Sequence, residues 1–387
     1  MRRLRKRWQF LALSLLLVCL LALPISAEQA STDQLGTVLP EEYLTFVESL
    51  PPEVQALLPE GLFSTDAKEV EAALTEMSDF SYLLRTGLSM LGLELFGSVR
   101  LLFSVCGVLI LSAVFSTVKT SLQGKASAKA FSFCTTLVML LTLVSVGFTC
   151  MSSVGAYFER LLQFTTPLIP LTSALYAMGG NVTTAMTSTS TLSIFMVLME
   201  TLVGRSVLPF CSICLGGATV SALNSSLRLG TLLTTLKRSY TTLLAFLMML
   251  LLAMLAMQST LGSRADTLAM KSAKFAAGNL IPVLGGSVSE LLRSLGAGVS
   301  YLRSTVGICA LLLLLLMLFP TLIRLFLYRT VFLLGASIAD LLSCDTEKKL
   351  LDEFASIGGF LITAVCICSG VLILSLSLFI HSASAIG

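Results

Sequence analysis

The sequence carries little charge. Only 12% of its 387 residues are Asp, Glu, Lys or Arg, whereas 55% are hydrophobic and the mean hydropathy is +0.92. Soluble globular domains carry roughly 25% charged residues, so the composition excludes that class. Several apolar runs reach the ~18 residues that mark a spanning helix, and helices satisfy their own backbone hydrogen bonds in lipid. The sequence therefore predicts an all-α fold, a polytopic α-helical membrane protein.

The residues and motifs of common enzyme and nucleotide-binding sites are also scarce. The single histidine, His381, excludes an HExxH site and leaves no base for a Ser/His/Asp arrangement. There is no GxxxxGK[ST] loop, and the basic groups lack interleaved aromatic residues, which argues against nucleic-acid binding. The cysteine pairs Cys211/Cys214 and Cys366/Cys368 have no second metal-binding motif nearby and are expected to pack as small hydrophobes. We predict no enzymatic activity, no metal, no cofactor and no nucleic-acid partner.

Residues 1–27 have the three parts of a secretory signal peptide. A basic start precedes an apolar core, and cleavage is expected between Ala27 and Glu28. The alternative is an uncleaved first span. Either way, the chain from residue 28 onward is predicted to begin outside the cytoplasm.

Residues 28–97 form a predicted acidic extracytoplasmic helical segment. They contain 13 of the 22 acidic residues against only Lys68 and Arg85, which fits the rule that basic residues stay in the cytoplasm. Helix-start patterns occur near Pro40 and Ser64. Two interpretations stay open: a segment that docks on the membrane or on a partner, and a solvated spacer.

Residues 98–387 are predicted to form a multispan membrane domain with about seven spans, six or eight also being possible. The predicted spans are 101–118, 131–151, 161–178, 241–260, 306–323, 325–342 and 357–380. The lysines of the loop around residues 119–129 place that loop in the cytoplasm. Residues 191–223 are too long for one upright span, and we favour a broken hairpin that turns near Gly204.

Two charges within residues 191–223 are candidate functional residues. Glu200 and Arg205 lie five residues apart in apolar sequence, and charges at membrane depth usually face a cavity or each other. They would either pair across a distorted turn or extend to the membrane interface. Arg324 and Arg329 are expected to be interfacial anchors.

An internal duplication is possible. Residues 164–170 and 275–282 both begin with Phe and end in Leu-Ile-Pro, and each follows a basic loop, a strong span and a short charged stretch. Pro167 and Pro170 should kink or interrupt the first copy. Repeats with interrupted helices at corresponding places build central sites in many transporters.

Residues 271–286 are a long, less apolar interval between two very apolar runs. On the predicted topology they lie on the outer side, either as a re-entrant turn that lines an interface or passage, or as an amphipathic surface helix. The residues that distinguish this interval from a plain span are Lys274, Phe275, Gly278, Asn279, Pro282 and Gly285.

This motif, together with the order of signal peptide, acidic outer segment and multispan body, resembles the stage III sporulation protein AE family. The resemblance implies a role in endospore formation, in the mother-cell membrane around the forespore. It also implies a channel or secretion-like complex whose partners are other membrane proteins, an ATPase subunit among them, and a forespore-side protein. A permease-like transporter of an unknown small solute, with its site between the two Leu-Ile-Pro segments, is the alternative.

Overall fold

The computed structural model describes residues 40–48, 55, 58–64, 66–78, 80–121, 125–223, 229–280 and 285–381. The predicted signal peptide, residues 1–27, lies outside them. All regular structure longer than one turn in these ranges is helical. The α-helices are α1 (Glu41–Glu48), α2 (Ala67–Ser78), α3 (Phe80–Ser121), α4 (Lys125–Met178), α5 (Val182–Met199), α6 (Leu208–Leu223), α7 (Leu229–Leu280), α8 (Gly285–Leu341) and α9 (Asp345–His381). A 3₁₀ turn, Glu60–Phe63, precedes α2, and a π-helix, Glu200–Val207, joins α5 to α6.

The long helices form six rods: α3, α4, the continuous unit of α5, π-helix and α6, then α7, α8 and α9. Side-chain contacts give their directions. In α4 and α8, Leu175 contacts Arg303 whereas Ser153 contacts Arg324, so these rods are antiparallel. The α5–α6 rod is antiparallel to α7, because Thr183 bonds Asp266 and Ser206 bonds Tyr240. The rods therefore alternate up and down in a bundle.

Two turns define the ends of the bundle. At the upper end, Gly180 (φ 74°) closes α4 with bonds from its own amide to Ala177 O and from Asn181 N to Tyr176 O. At the lower end, Ser343 (φ 56°) closes α8, and Cys344 N bonds Ala339 O. Both are left-handed helix C-caps, a conformation that glycine adopts freely and serine only at a cost.

Helix α8 occupies the centre of the bundle. Residues 309–318 are ten consecutive buried residues, so this part of the helix is apolar and covered all round. It packs against α9, α3 and α4. Gly307 permits a close crossing with α9, since a Cβ there would lie 2.4 Å from Ile380 Cγ1.

The acidic segment folds onto the upper half of the bundle. The Tyr43 hydroxyl donates to Leu62 O (3.0 Å), which ties α1 to the 3₁₀ turn, and lies 3.8 Å from Cys309 Sγ of α8. The Phe46 and Phe164 rings meet edge to face, 5.3 Å apart. Helix α3 continues through residue 97, where the acidic segment was expected to end.

Six rods hold helices that are long and apolar enough to span a membrane: Leu95–Val114, Cys134–Met178, Val182–Met199, Gly230–Met257, Ser294–Leu341 and Asp345–His381. The all-α multispan class is confirmed, and six lies within the predicted range of six to eight. The lengths of these helices differ more from the prediction than their number does. Helix α4 has 54 residues, or about 80 Å at 1.5 Å per residue, against ~30 Å of hydrocarbon.

Three sequence predictions about breaks are wrong. Residues 131–151 and 161–178 lie in the one helix α4, and residues 306–323 and 325–342 lie in the one helix α8. The hairpin predicted near Gly204 is absent, because the backbone stays helical from Val182 to Leu223, with a π-helix at Glu200–Val207. Pro167 and Pro170 were predicted to kink or interrupt their helix. They do not interrupt it, because both lie inside α4. The duplication itself stays a prediction.

Candidate functional site

A buried carboxylate joins two rods at the upper end. Asp266 of α7 accepts hydrogen bonds from the backbone N–H groups of Thr183 and Thr184 (both 2.9 Å) and from the Thr184 hydroxyl (2.8 Å). These amides belong to the first turn of α5, where N–H groups have no partner within the helix and the helix dipole favours negative charge. Burial alone would raise the Asp266 pKa, but the bonds from Thr184 and Thr183 outweigh it, so this pKa is lowered.

A glycine makes this contact possible. A Cβ at Gly262 would lie 2.8 Å from Thr184 Oγ1 and 3.2 Å from Thr184 Cα. A larger residue would therefore require Thr184 or the two helices to shift at the point where Asp266 reaches α5. The sequence places Gly262 one turn before Asp266, so both residues fall on the face of α7 that meets α5.

A buried cation lies close to this carboxylate's end of the bundle. Arg303 of α8 is 1% exposed, and its guanidinium donates to Leu175 O (3.3 Å) near the C-terminus of α4. The guanidinium carbon also lies 4.8 Å from the centre of the Tyr176 ring and 5.9 Å from that of Phe379. A helix C-terminus and aromatic faces both stabilise positive charge.

A cavity of about 30 Å³ at this end of the bundle is lined by α4, α5, α7 and α9, and Thr184 and Tyr176 are among its lining residues. Its volume is that of about one water molecule. Five hydroxyl-bearing residues other than tyrosine line it among leucines: Thr172, Thr184, Thr187, Ser188 and Ser375.

The lower half contains a second set of buried charges. Lys237 Nζ of α7 lies 3.0 Å from Glu353 Oε2 of α9, with the two side chains 5% and 19% exposed. Glu347 of α9 accepts bonds from the hydroxyls of Ser112 (2.9 Å) and Thr135 (3.5 Å). These contacts hold α3, α4, α7 and α9 together through paired or hydrogen-bonded charge.

The π-helix contacts α7 through a polar side chain, and the first turn of α6 contacts it through an aromatic ring. Ser206 and Tyr240 share a hydrogen bond of 2.7 Å, and the rings of Phe210 and Tyr240 stack with centres 4.7 Å apart. The predicted candidates Glu200 and Arg205 both lie in this π-helix, where residues five apart are hydrogen-bonded neighbours. Glu200 is exposed, the side chain of Arg205 is outside the described part, and their pairing stays a prediction.

The described residues of the family motif lie at the upper end of the bundle. Lys274, Phe275, Gly278 and Asn279 are in the last turns of α7, which ends at Leu280, and their side chains lie outside the description. Pro282 is outside the described residues, and Gly285 begins α8. Their predicted role in lining an interface or passage stays a prediction.

The sequence alone assigned no role to the buried charges. In the sequence, Asp266 and Arg303 look like ordinary members of a charged interval between spans. Lys237 looks like part of a cytoplasmic loop. The one available indication was composition, because a charge inside a long apolar helix must be paired or solvated. Among the residues that the structure describes, no group of His, Cys, Asp or Glu could hold a metal ion.

Comparison with known proteins gives two matches. The family model for stage III sporulation protein AE matches residues 68–383, which is most of the chain. The stage III sporulation protein AE of Bacillus subtilis (strain 168) is 25% identical over 280 residues, covering 71% of this chain and 70% of the relative. No solved structure matches. The family match begins inside α2 and includes all six rods.

Proposed function

The chain belongs to the stage III sporulation protein AE family, and from this premise we propose that it is a non-enzymatic membrane subunit of the complex joining mother cell and forespore. Family membership implies a role in sporulation, and the apolar rods make the chain a multi-pass membrane protein. The complex would be a channel or secretion-like assembly in the mother-cell membrane around the forespore. Its other members would include further membrane proteins, an ATPase subunit and a forespore-side protein.

The observation that carries this proposal is the filled centre of the bundle. Residues 309–318 of α8 are buried on every side, so a passage along the middle of one chain would have to displace that helix. Large apolar side chains meanwhile face outward on α3 and α7, among them Phe103 (73% exposed) and Met249 (69%). This arrangement supports a subunit that works through surfaces shared with lipid and with other proteins.

The permease alternative gains no support from the upper cavity. Hydroxyl-bearing and apolar residues line this cavity, and among these described residues there is no charged side chain to bind an ionic solute. Leu168 of the first Leu-Ile-Pro segment lines it, but residues 281–284 of the second lie outside the described chain.

The proposal is tested in the native host. Deletion of the gene should reduce heat-resistant spores by orders of magnitude, and a tagged wild-type copy should restore them. The tagged protein, solubilised in mild detergent from sporulating cells, should co-purify with companion membrane proteins and an ATPase. Vegetative cells expressing the same tagged copy are the control. Normal spore numbers after deletion, or a protein recovered without companions, would contradict the proposal.

A further inference from the structure

Helix α7 exposes an apolar stripe that is longer than a membrane is thick. It consists of Leu232, Leu236, Leu243, Phe246, Leu250, Met254, Met257, Leu261 and Leu268, all of which are exposed. From Leu232 to Leu268 the helix rises about 54 Å at 1.5 Å per residue. The hydrocarbon core is ~30 Å thick. Part of the stripe therefore lies where lipid tails do not reach.

The upper part of this stripe is basic. Arg264 and Lys271 are exposed and lie beside Leu261 and Leu268 at helical spacings of three and four residues. The nearby acid, Asp266, is turned the other way and is bonded to α5. We call this surface, Leu261, Arg264, Leu268 and Lys271, the basic face.

The acidic segment offers a surface of opposite charge. Most of its described apolar residues are buried, while Glu42, Glu48 and Glu69 are exposed and Phe63 is 41% exposed. We call these four residues the acidic face. Lys68 is exposed beside Glu69, so the exposed charges described in this segment are three acidic and one basic. The acidic face combines carboxylates with one large apolar side chain. The basic face combines cations with two large apolar side chains.

The two faces lie in the upper half of the bundle but on different sides. Glu71 accepts a hydrogen bond from Tyr301 of α8, which is two residues from Arg303 at the upper end of α4. Asp266 lies beside Thr183, just past that same end. The acidic segment packs on α4, α3 and α8, whereas α7 packs mainly on α5, α6 and α9. The described part of the acidic segment therefore does not cover the basic face of its own copy.

We propose that the basic face binds the acidic face of a second copy of this chain. Two different surfaces would meet at each contact, which is a heterologous interface, and such interfaces close into rings or extend as filaments. Charge complementarity would set which surfaces meet, and the leucines and Phe63 would supply apolar contact. Neither face includes a residue of the family motif, and self-association is independent of any channel complex.

A second copy fits the basic face better than an anionic lipid surface does. The span Gly230–Met257 already exceeds the hydrocarbon thickness, and Leu261 and Leu268 lie beyond it. Headgroups could neutralise Arg264 and Lys271 but would leave these leucines in a polar layer. A protein surface that presents carboxylates and an exposed phenylalanine would pair with the cations and also cover the leucines.

The test is a charge exchange in the full-length protein. Donor- and acceptor-labelled copies are reconstituted in phosphatidylcholine vesicles, and association is followed by energy transfer as the protein-to-lipid ratio is lowered. Arg264→Glu with Lys271→Glu should weaken association about tenfold or more, as should Glu42→Lys, Glu48→Lys and Glu69→Lys together, because like charges then meet. Combining both sets should restore association. Arg238→Glu reverses one exposed charge at the lower end of α7, outside the basic face, and should have no effect.

Several results would overturn the proposal. One is a wild-type chain that stays monomeric in phosphatidylcholine. A second is association that survives charge reversal of the basic face. A third is a combined variant that inserts normally but does not regain association. Loss of association upon reversal that appears only in vesicles with phosphatidylglycerol would instead assign the basic face to anionic lipid.

Discussion

Helices α7 and α8 are both long and apolar, yet they have opposite surroundings. Of the most apolar window in each, 72% is buried in α8 and 22% in α7. Helix α8 is covered on all sides over residues 309–318, while α7 keeps one face outside the bundle along its length. Apolar composition thus identifies a helix suited to the membrane, and only packing tells whether its side chains touch protein or lipid.

The largest expected difference between the two helices comes from removing a leucine. Leu314 of α8 is 0% exposed, and Leu250 of α7 is 57% exposed. Leu314→Ala should destabilise the protein by about 3 kcal/mol because it leaves a cavity. Leu250→Ala should cost less than about 1 kcal/mol, since lipid fills the space. Unfolding by SDS in bicelles measures both, and equal losses would break the comparison.

Adjacent cations on α7 test its inner and outer faces. Lys237 is buried against Glu353, whereas Arg238 points outward. Lys237→Met should cost about 2 kcal/mol, because Glu353 is left in a largely apolar site. Arg238→Met should stay within about 0.5 kcal/mol. The same SDS titration compares them, and a Lys237→Met variant as stable as Arg238→Met would show that the ion pair contributes nothing.

The Asp266 contact should depend on pH. Asp266→Asn should cost about 1–2 kcal/mol at pH 7 because the charged hydrogen bonds to α5 are lost. Since the folded pKa of Asp266 is lowered, the carboxylate stabilises the fold above its unfolded pKa of about 3.9, and this contribution falls as pH drops through the folded value. The difference between wild type and variant should therefore narrow below about pH 4.

A matched aspartate controls this experiment. Asp340 is 61% exposed and pairs with Lys348 at the lower end. Asp340→Asn should change stability by less than about 0.5 kcal/mol at any pH, because surface pairs contribute little. If the Asp266→Asn difference does not change between pH 7 and pH 3, the charge on Asp266 is not what holds α7 to α5.

The smallest effect is expected where α8 meets the acidic segment. Tyr301→Phe removes the hydrogen bond to Glu71 and should cost about 1 kcal/mol or less. Glu71→Gln in the Tyr301→Phe background should add little, since the two residues share one interaction. Fully additive losses in thermal unfolding would mean that each residue acts through a different contact.

The helical multispan class and the family were predictable from the sequence, and both are confirmed. Apolar runs and low charge define the class, because lipid admits helices that satisfy their own backbone. The division into spans was not predictable in α4 and α8. Arg324, which separates two of the predicted spans, was expected to be an interfacial anchor, but it is half-buried and donates to Ser153 of the neighbouring rod (3.0 Å). A helix can continue through a charge when its partner comes from another helix.

The upper site was harder to predict for the same reason. Asp266 and Thr184 are 82 residues apart in sequence, and Arg303 lies 128 residues from Leu175. No local pattern records such pairs. Gly262 offered a weak indication, because a glycine in a helix often marks a close approach, yet only the structure shows that α5 is what approaches.

The alternation of the six rods has a consequence for sidedness. An even number of crossings brings Tyr43 and His381 to the same face of the membrane, whereas the seven predicted spans would separate them. With six crossings, the short turn at Ser343 lies on the same face as Lys125 and Arg238, and so do Lys348 and Lys349. The seven predicted spans would place this turn on the opposite face. Merging four predicted spans into two and opening the hairpin thus changes the parity, and the cations of the lower end gather on one side, as the positive-inside rule requires.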